Sequence, residues 1–143
     1  EAVEALEPEA RAAGVTAEVT GTCATVRGVR RLLYEIVYNL CDNAIKYNVE
    51  GGRVTVDITQ DGDGPLLTVT DTGVGIPPEA QGRVFERFYR VDKSHSRAIG
   101  GTGLGLSIVK HAAQAHGARI ALQSQPGKGT AISVRFPVQE ARA

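Results

Sequence analysis

Five polar side chains, Glu35, Asn39, Asp42, Asn43 and Lys46, recur at offsets 0, 4, 7, 8 and 11 along the segment from Arg30 to Tyr47. At about 100° per residue of an α-helix those offsets fall within about 100° of arc, so all five share one stripe. A charged stripe on a helix is ordinarily a solvated face. The asparagines argue for more. Asparagine is a mediocre helix former, and two of them one turn apart on the side of a carboxylate offer oxygen ligands to a hard cation such as Mg²⁺, with the Lys46 ammonium placed for phosphate. Glu35, one turn earlier, could polarise an attacking group.

Two glycine-bearing turns could complete such a site. Gly101-Thr102-Gly103-Leu104-Gly105-Leu106 carries glycines on alternate positions and opens an amphipathic segment from Ser107 to His116. Alternating glycines let the backbone approach a ligand closely, and the unpaired amides and positive dipole end of the following helix attract an anion. Glycine runs before helices also serve as plain connectors. Asp71-Thr72-Gly73-Val74-Gly75-Ile76-Pro77 closes an apolar alternation. A short carboxylate there could accept a hydrogen bond from an exocyclic amine such as adenine's, or could cap an ordinary turn; the residues alone leave both readings open.

The elements that must position these groups are legible in the apolar spacing. Val3, Leu6, Ala10 and Ala13 predict a first helix ending at Gly14, limited or kinked by Pro8. Val15, Ala17, Val19 and Gly21, then Ala24 and Val26, predict two short strands meeting near Gly21-Thr22. The long helix from Arg30 to Tyr47 turns Leu33, Ile36, Val37, Leu40 and Ala44 toward a core. Val54–Thr59 and Leu66–Asp71 predict a hairpin across Asp61-Gly62-Asp63-Gly64-Pro65, and 119–124 and 130–136 a second across Gln125-Pro126-Gly127-Lys128-Gly129. From Pro77 to Gly100 the chain is rich in charge, with Phe85, Phe88 and Tyr89 at near-helical spacing, and reads as a partly helical lid that orders on phosphates. The sum is a sandwich of one sheet and one helical layer, with the sheet's other face solvated.

Composition bounds the function classes. The 143 residues fit one domain, long enough to bury about 68–70% of the surface of its unfolded chain. Sixteen basic and sixteen acidic side chains cancel, which argues against a nucleic-acid footprint spread over the surface. Cys23 and Cys41 are too few for a disulfide framework or a zinc site and suggest a reducing compartment; Cys41 sits in an apolar helical stretch as a core residue. No segment approaches the ~20 apolar residues that cross a bilayer. The chain has no methionine and opens directly into a helical pattern, which predicts a domain excised from a longer protein.

In order and separation, four segments resemble the boxes of the catalytic ATP-binding domain of bacterial sensor histidine kinases. Asn39-Leu40-Cys41-Asp42-Asn43-Ala44-Ile45-Lys46-Tyr47 resembles the asparagine box, and Asp71 to Pro77 the first glycine box. Val84-Phe85-Glu86-Arg87-Phe88-Tyr89-Arg90-Val91-Asp92 resembles the phenylalanine box, and Gly101 to Ser107 the second glycine box. The likeness covers nearly the whole chain and is nearest in form to phosphate-regulon-type sensor kinases.

The resemblance implies an α+β two-layer sandwich of the Bergerat type: a mixed, mostly antiparallel sheet of about five strands on about three helices, with an ATP lid over roughly residues 77–103. It further implies that Asn39 and Asn43 hold Mg²⁺ and phosphate oxygens, that Lys46 meets phosphate, and that Tyr47 packs on adenine unless it is only a rim aromatic. Asp71 would bind the adenine amine, with Gly73, Gly75 and Ile76 beside the base. Gly101, Thr102, Gly103, Leu104, Gly105 and Leu106 would cradle the phosphates, and Arg87 or Arg90 would reach the γ-phosphate. Glu35 matches the position of the base that activates the acceptor histidine, or else orients the metal shell. The implied partners are the parent's own dimerisation and phosphoacceptor domain and a response regulator, in a homodimeric membrane sensor whose catalytic part is cytoplasmic.

Two departures stand out. Where the family commonly carries Asp or Asn ahead of the arginine that begins the long helix, this chain has Gly28-Val29-Arg30-Arg31, which predicts a missing N-cap at a cost of about 1 kcal/mol. No phosphoacceptor sequence surrounds His95, His111 or His116, for which solvated or packing roles are expected. Competing readings are a chaperone-, topoisomerase- or mismatch-repair-like ATPase, against which the phenylalanine box argues, and an anti-sigma-type or degenerate nucleotide-binding module.

Overall fold

In a computed structural model the fold is described for residues 2–21, 26, 28–86 and 105–138. Helices α1 (Ala2–Ala5) and α2 (Glu7–Ala13) are one apolar-periodic segment broken at Leu6, because Pro8 stands in the first turn of α2 and cannot donate backward. Leu6 is nevertheless buried, and Gly14 ends α2 in the left-handed region at φ 71°.

The sheet has five strands: β1 (Thr16–Gly21), β2 (Arg53–Asp61), β3 (Gly64–Asp71), β4 (Arg119–Gln125) and β5 (Gly129–Arg135), in the order β1-β2-β3-β5-β4. β1 runs parallel to β2 with Val19 opposite Val56, and every other pairing is antiparallel. Both expected hairpins are present, and their strands run a residue or more beyond the apolar alternation into the turns. The side chain of Asp61 accepts the Asp63 amide at 2.8 Å and tightens the first turn.

One face of the sheet is covered by α3 (Arg30–Lys46) and α5 (Gly105–Ala115), which pack on one another. Ile36, Leu40 and Ala44 from α3 and Val109, Ala112 and Ala113 from α5 bury against Val54, Val56, Leu67, Val69, Ile132 and Val134. Truncating a side chain as enclosed as Leu40 to alanine costs about 2–5 kcal/mol. Cys41 lies in this core, where burial pushes its thiol up to about 12 and keeps it protonated and inert. The opposite face carries hydroxyls, such as the Thr68–Ser133 pair at 3.2 Å.

Two expectations change, and a third falls mostly outside the described residues. Val26 packs on the core outside any strand, and the rest of the expected second short strand, residues 22–25 with Cys23 and Ala24, lies outside the described residues. Val19 is 57% exposed on β1, an edge strand of which Ala17 packs against the core. The lid region contributes the single turn α4 (Pro78–Gln81) and turns as far as Glu86; residues 87–104, with Phe88, Tyr89 and His95, lie outside the described residues.

Candidate functional site

β3 ends at Asp71, half-buried between β2 and β5. Its Oδ1 accepts two backbone amides, Gly73 at 2.9 Å and Thr130 at 3.2 Å. Oδ2 has no partner among the described residues. Burial raises the pKa of this carboxyl, and the two amide bonds pull against the shift. The group is thus held in one orientation with an open acceptor oxygen, which suits a neutral donor such as an amine.

The loop after Asp71 is fixed by close backbone contacts. A Cβ on Gly73 would lie 2.3 Å from the Tyr47 carbonyl oxygen, and one on Gly75, at φ +76°, would lie 2.1 Å from the Gln125 carbonyl oxygen. Both glycines are therefore required by the docking of the loop against the end of α3 and against the β4–β5 turn. Val74 donates to the Tyr47 carbonyl at 3.1 Å, and Gly127 donates to the Val74 carbonyl at 2.8 Å. Ile76, buried, donates its amide to Ser124 Oγ at 2.7 Å.

Four residues that organise this end were not singled out by sequence reasoning. Ser124 Oγ also donates to the Gly129 carbonyl at 3.0 Å and meets Thr130 Oγ1 at 2.8 Å. Gln81 Nε2 bridges the carbonyls of Ile76 and Ser124 at 2.9 and 3.1 Å. Asn48 donates to the Arg53 carbonyl and accepts from the Val49 amide and from Thr72 Oγ1, and so ties the end of α3 to β2 and to the loop. The available signal was a polar residue at an inward strand position, since Ser124 continues the period of Ile120 and Leu122, and Thr130 that of Ile132 and Val134.

The polar stripe of α3 lies on the adjoining surface. Asn39 Nδ2 donates to the Glu35 carbonyl at 2.8 Å, which leaves Oδ1 as the free end of the amide. A Cβ on Gly105 would stand 3.4 Å from that oxygen, so Asn39 faces the first residue of α5. Lys46 Nζ pairs with Asp42 Oδ2 at 3.0 Å, both partly exposed. The side chains of Glu35 and Asn43 are half-buried and have no partner among the described residues. Tyr47 caps the helix through its amide, which donates to the Asn43 carbonyl at 3.1 Å, and carries the carbonyl that meets Val74.

Among the described residues no cluster of three or more His, Cys, Asp or Glu could hold a metal ion. A cation here would take amide oxygens together with the Glu35 carboxylate, a donor set that suits a hard ion. Leu106 is buried at the head of α5. Arg87, Arg90, Gly101, Thr102, Gly103 and Leu104 lie outside the described residues. The structure thus brings together Asp71, Gly73, Gly75 and Ile76 with Tyr47, and Asn39 with Gly105.

Comparison with known proteins bears on this arrangement. Residues 28–140 match the family described as histidine kinase-, DNA gyrase B- and HSP90-like ATPases. The sensor-like histidine kinase SenX3 of Mycolicibacterium smegmatis is 48% identical over 112 residues, which are 78% of this chain and 29% of SenX3. The phosphate regulon sensor protein PhoR of Pseudomonas aeruginosa is 43% identical over 119 residues, 82% of this chain and 27% of PhoR. The chain therefore spans less than a third of the length of these relatives. Among solved structures, the mycobacterial sensor histidine kinase MprB aligns with a TM-score of 0.80 at 38% identity, over 95% of this chain and 92% of that one. Full-length ShkA in complex with AMPPNP aligns with a TM-score of 0.83 at 28% identity, over 99% of this chain and 29% of ShkA.

Proposed function

The chain belongs to the histidine kinase-, DNA gyrase B- and HSP90-like ATPase family, and from that premise we propose that it binds Mg²⁺-ATP and passes the γ-phosphoryl group to a histidine on the dimerisation domain of a sensor kinase. The relatives named as sensor histidine kinases support the acceptor, and the AMPPNP complex of ShkA supports the nucleotide. The observation that carries the reading is the Asp71 carboxylate: half-buried, oriented by two backbone amides through Oδ1, and open at Oδ2.

Asp71 Oδ2 accepts the exocyclic amine of adenine, and Tyr47 and Ile76 flank the base. The amide oxygens of Asn39 and Asn43, with the Glu35 carboxylate beside them, supply the donors a magnesium ion needs. That ion neutralises phosphate charge when bound. Lys46 reaches phosphate by leaving Asp42, an exchange of a partly exposed pair on one helix face, where such pairs are worth about 1 kcal/mol or less. Gly101, Thr102, Gly103 and Leu104, with Gly105 and Leu106 at the start of α5, offer amides to the phosphates. Arg87 or Arg90 supplies positive charge to the γ-phosphate. In the transfer itself an imidazole nitrogen of the acceptor forms a bond to the γ-phosphorus, the bond to the bridging oxygen breaks, ADP leaves, and Glu35 receives the imidazole proton or only holds it in place. Catalysis rests on positioning and charge neutralisation.

The partners follow from the same reading: the parent's dimerisation domain, then a response regulator, in a membrane-anchored homodimer with this domain in the cytoplasm. No helix among the described residues is long and apolar enough to cross a membrane. The test is transfer of labelled phosphate from ATP to a supplied dimerisation domain bearing its acceptor histidine. Acid-labile, base-stable label on that domain is the expected result. Label on a serine of a partner protein would indicate an anti-sigma-type kinase, and nucleotide binding without transfer a degenerate module.

A further inference from the structure

The first amide of the catalytic helix is held by a side chain from the far end of another helix. Val29, the N-cap of α3, is extended at φ −86° and ψ 114° and makes no capping bond with its own side chain. In a capping box the N-cap amide would be taken by a Glu or Gln three residues on, but that position is Leu32. Instead the Val29 amide donates to His116 Nε2 at 3.1 Å, just beyond the end of α5. The other ring nitrogen, Nδ1, lies 2.8 Å from the Ala112 carbonyl oxygen. A carbonyl can only accept and an amide can only donate, so the imidazole is neutral with its proton on Nδ1. Its ring stands edge-on to buried Phe136, with centroids 6.4 Å apart and planes at 83°. Gly28 makes room for it, since a Cβ there would lie 2.2 Å from His116 Nε2.

These contacts set a register. The end of α5 touches the start of α3 through His116, and the start of α5 touches the middle of α3 where Gly105 meets Asn39. The two helices are therefore antiparallel. Ten residues from Val29 to Asn39 and eleven from Gly105 to His116 rise about 15 and 16 Å, so the two contacts are matched in length. We propose that His116 is a positioning residue for the phosphate end of the site: it pins the slide of α5 along α3 and thereby sets the head of α5 against Asn39. The role of that end in nucleotide binding rests on the function proposed above, whereas the register itself does not.

The test uses the 143-residue chain with His116→Leu, which keeps bulk and loses the acceptor, and His116→Gln, whose amide can accept from Val29 and donate to Ala112. Nitrogen NMR of the unaltered chain is expected to show His116 as the neutral Nδ1–H tautomer. In His116→Leu, exchange of the Val29 amide should quicken by about three- to tenfold, the worth of one such hydrogen bond. The Asn39 side-chain and Gly105 amide resonances should shift, and affinity for a Mg²⁺-bound ATP analogue should fall by a similar factor at a temperature where the variant is fully folded. His116→Gln should restore all three. If His116→Leu fails to fold, Gly28→Ala serves: it should destabilise the unaltered chain more than it destabilises a His116→Ala chain. An Nε2–H tautomer, unchanged Val29 exchange, or an affinity loss that His116→Gln does not repair would overturn the proposal. Resonance shifts as expected in a chain that binds no nucleotide would uphold the register and sink the nucleotide reading instead.

Discussion

The two ends of the site are built in opposite ways. At the Asp71 end the groups around the one open oxygen, Oδ2, are committed: Gly73 and Thr130 orient the other carboxylate oxygen, Ser124 and Gln81 clamp the loop, and Gly75 is pressed against the Gln125 carbonyl. At the α3 stripe the groups are occupied by their own neighbours or by nothing, with Lys46 on Asp42 and the Glu35 and Asn43 side chains open. One end is a finished socket. The other is a set of half-buried donors and acceptors that, in the proposed function, would change partners around phosphate and metal. Base recognition depends on rigidity, which favours dense backbone bonding, whereas a reacting phosphate must be gripped and released.

Changes at the two ends should therefore separate stability from chemistry. Gly75→Ala adds a left-handed penalty to a backbone clash at 2.1 Å and should cost about 3–5 kcal/mol in denaturant unfolding. Asn39→Ala and Asn43→Ala should leave the midpoint of unfolding nearly unchanged and slow phosphoryl transfer about 100-fold, as loss of one preorganised group at developing charge does. Ser124→Ala leaves the Ile76 amide without its acceptor and should cost about 1–3 kcal/mol, with base affinity falling in step. Asp42→Asn should move stability by less than about 1 kcal/mol and tighten nucleotide binding slightly, because Lys46 no longer has to leave a carboxylate. Weaker binding in Asp42→Asn would show that Lys46 does not turn to phosphate.

The stripe on α3 was legible because helical period and residue type are local properties, and the same holds for both hairpins. The five-strand sheet under one helical layer also stands as the pattern and the resemblance implied. What the sequence hid was non-local. Ser124, Thr130 and Asn48 acquire their roles only when β4, β5 and the end of α3 meet the loop after Asp71. The missing N-cap of α3 was read from Gly28-Val29, but the acceptor that takes the Val29 amide in place of a capping-box side chain is His116, 87 residues away. Val19 alternates like an inward residue and is exposed because no local pattern states that its strand lies at an edge.

The central claim is that Asp71 reads an exocyclic amine, and its pKa direction gives that claim a signature in stability. Burial raises the Asp71 pKa in the folded state, so its contribution to stability is fully present below the unfolded carboxylate value of about 3.9 and is lost as pH rises through the higher folded value. Above that folded value the ionised group detracts from stability, a penalty that Asp71→Asn removes while keeping an oxygen for Gly73 and Thr130. The most direct measurement is calorimetric titration of the unaltered chain and of Asp71→Asn with Mg²⁺ and a non-hydrolysable ATP analogue, beside thermal melts of both at neutral pH. The account predicts an Asn variant that melts no lower than the original and binds the nucleotide at least about 100-fold more weakly, since a donor now faces the amine. Equal affinity in the two proteins would contradict it.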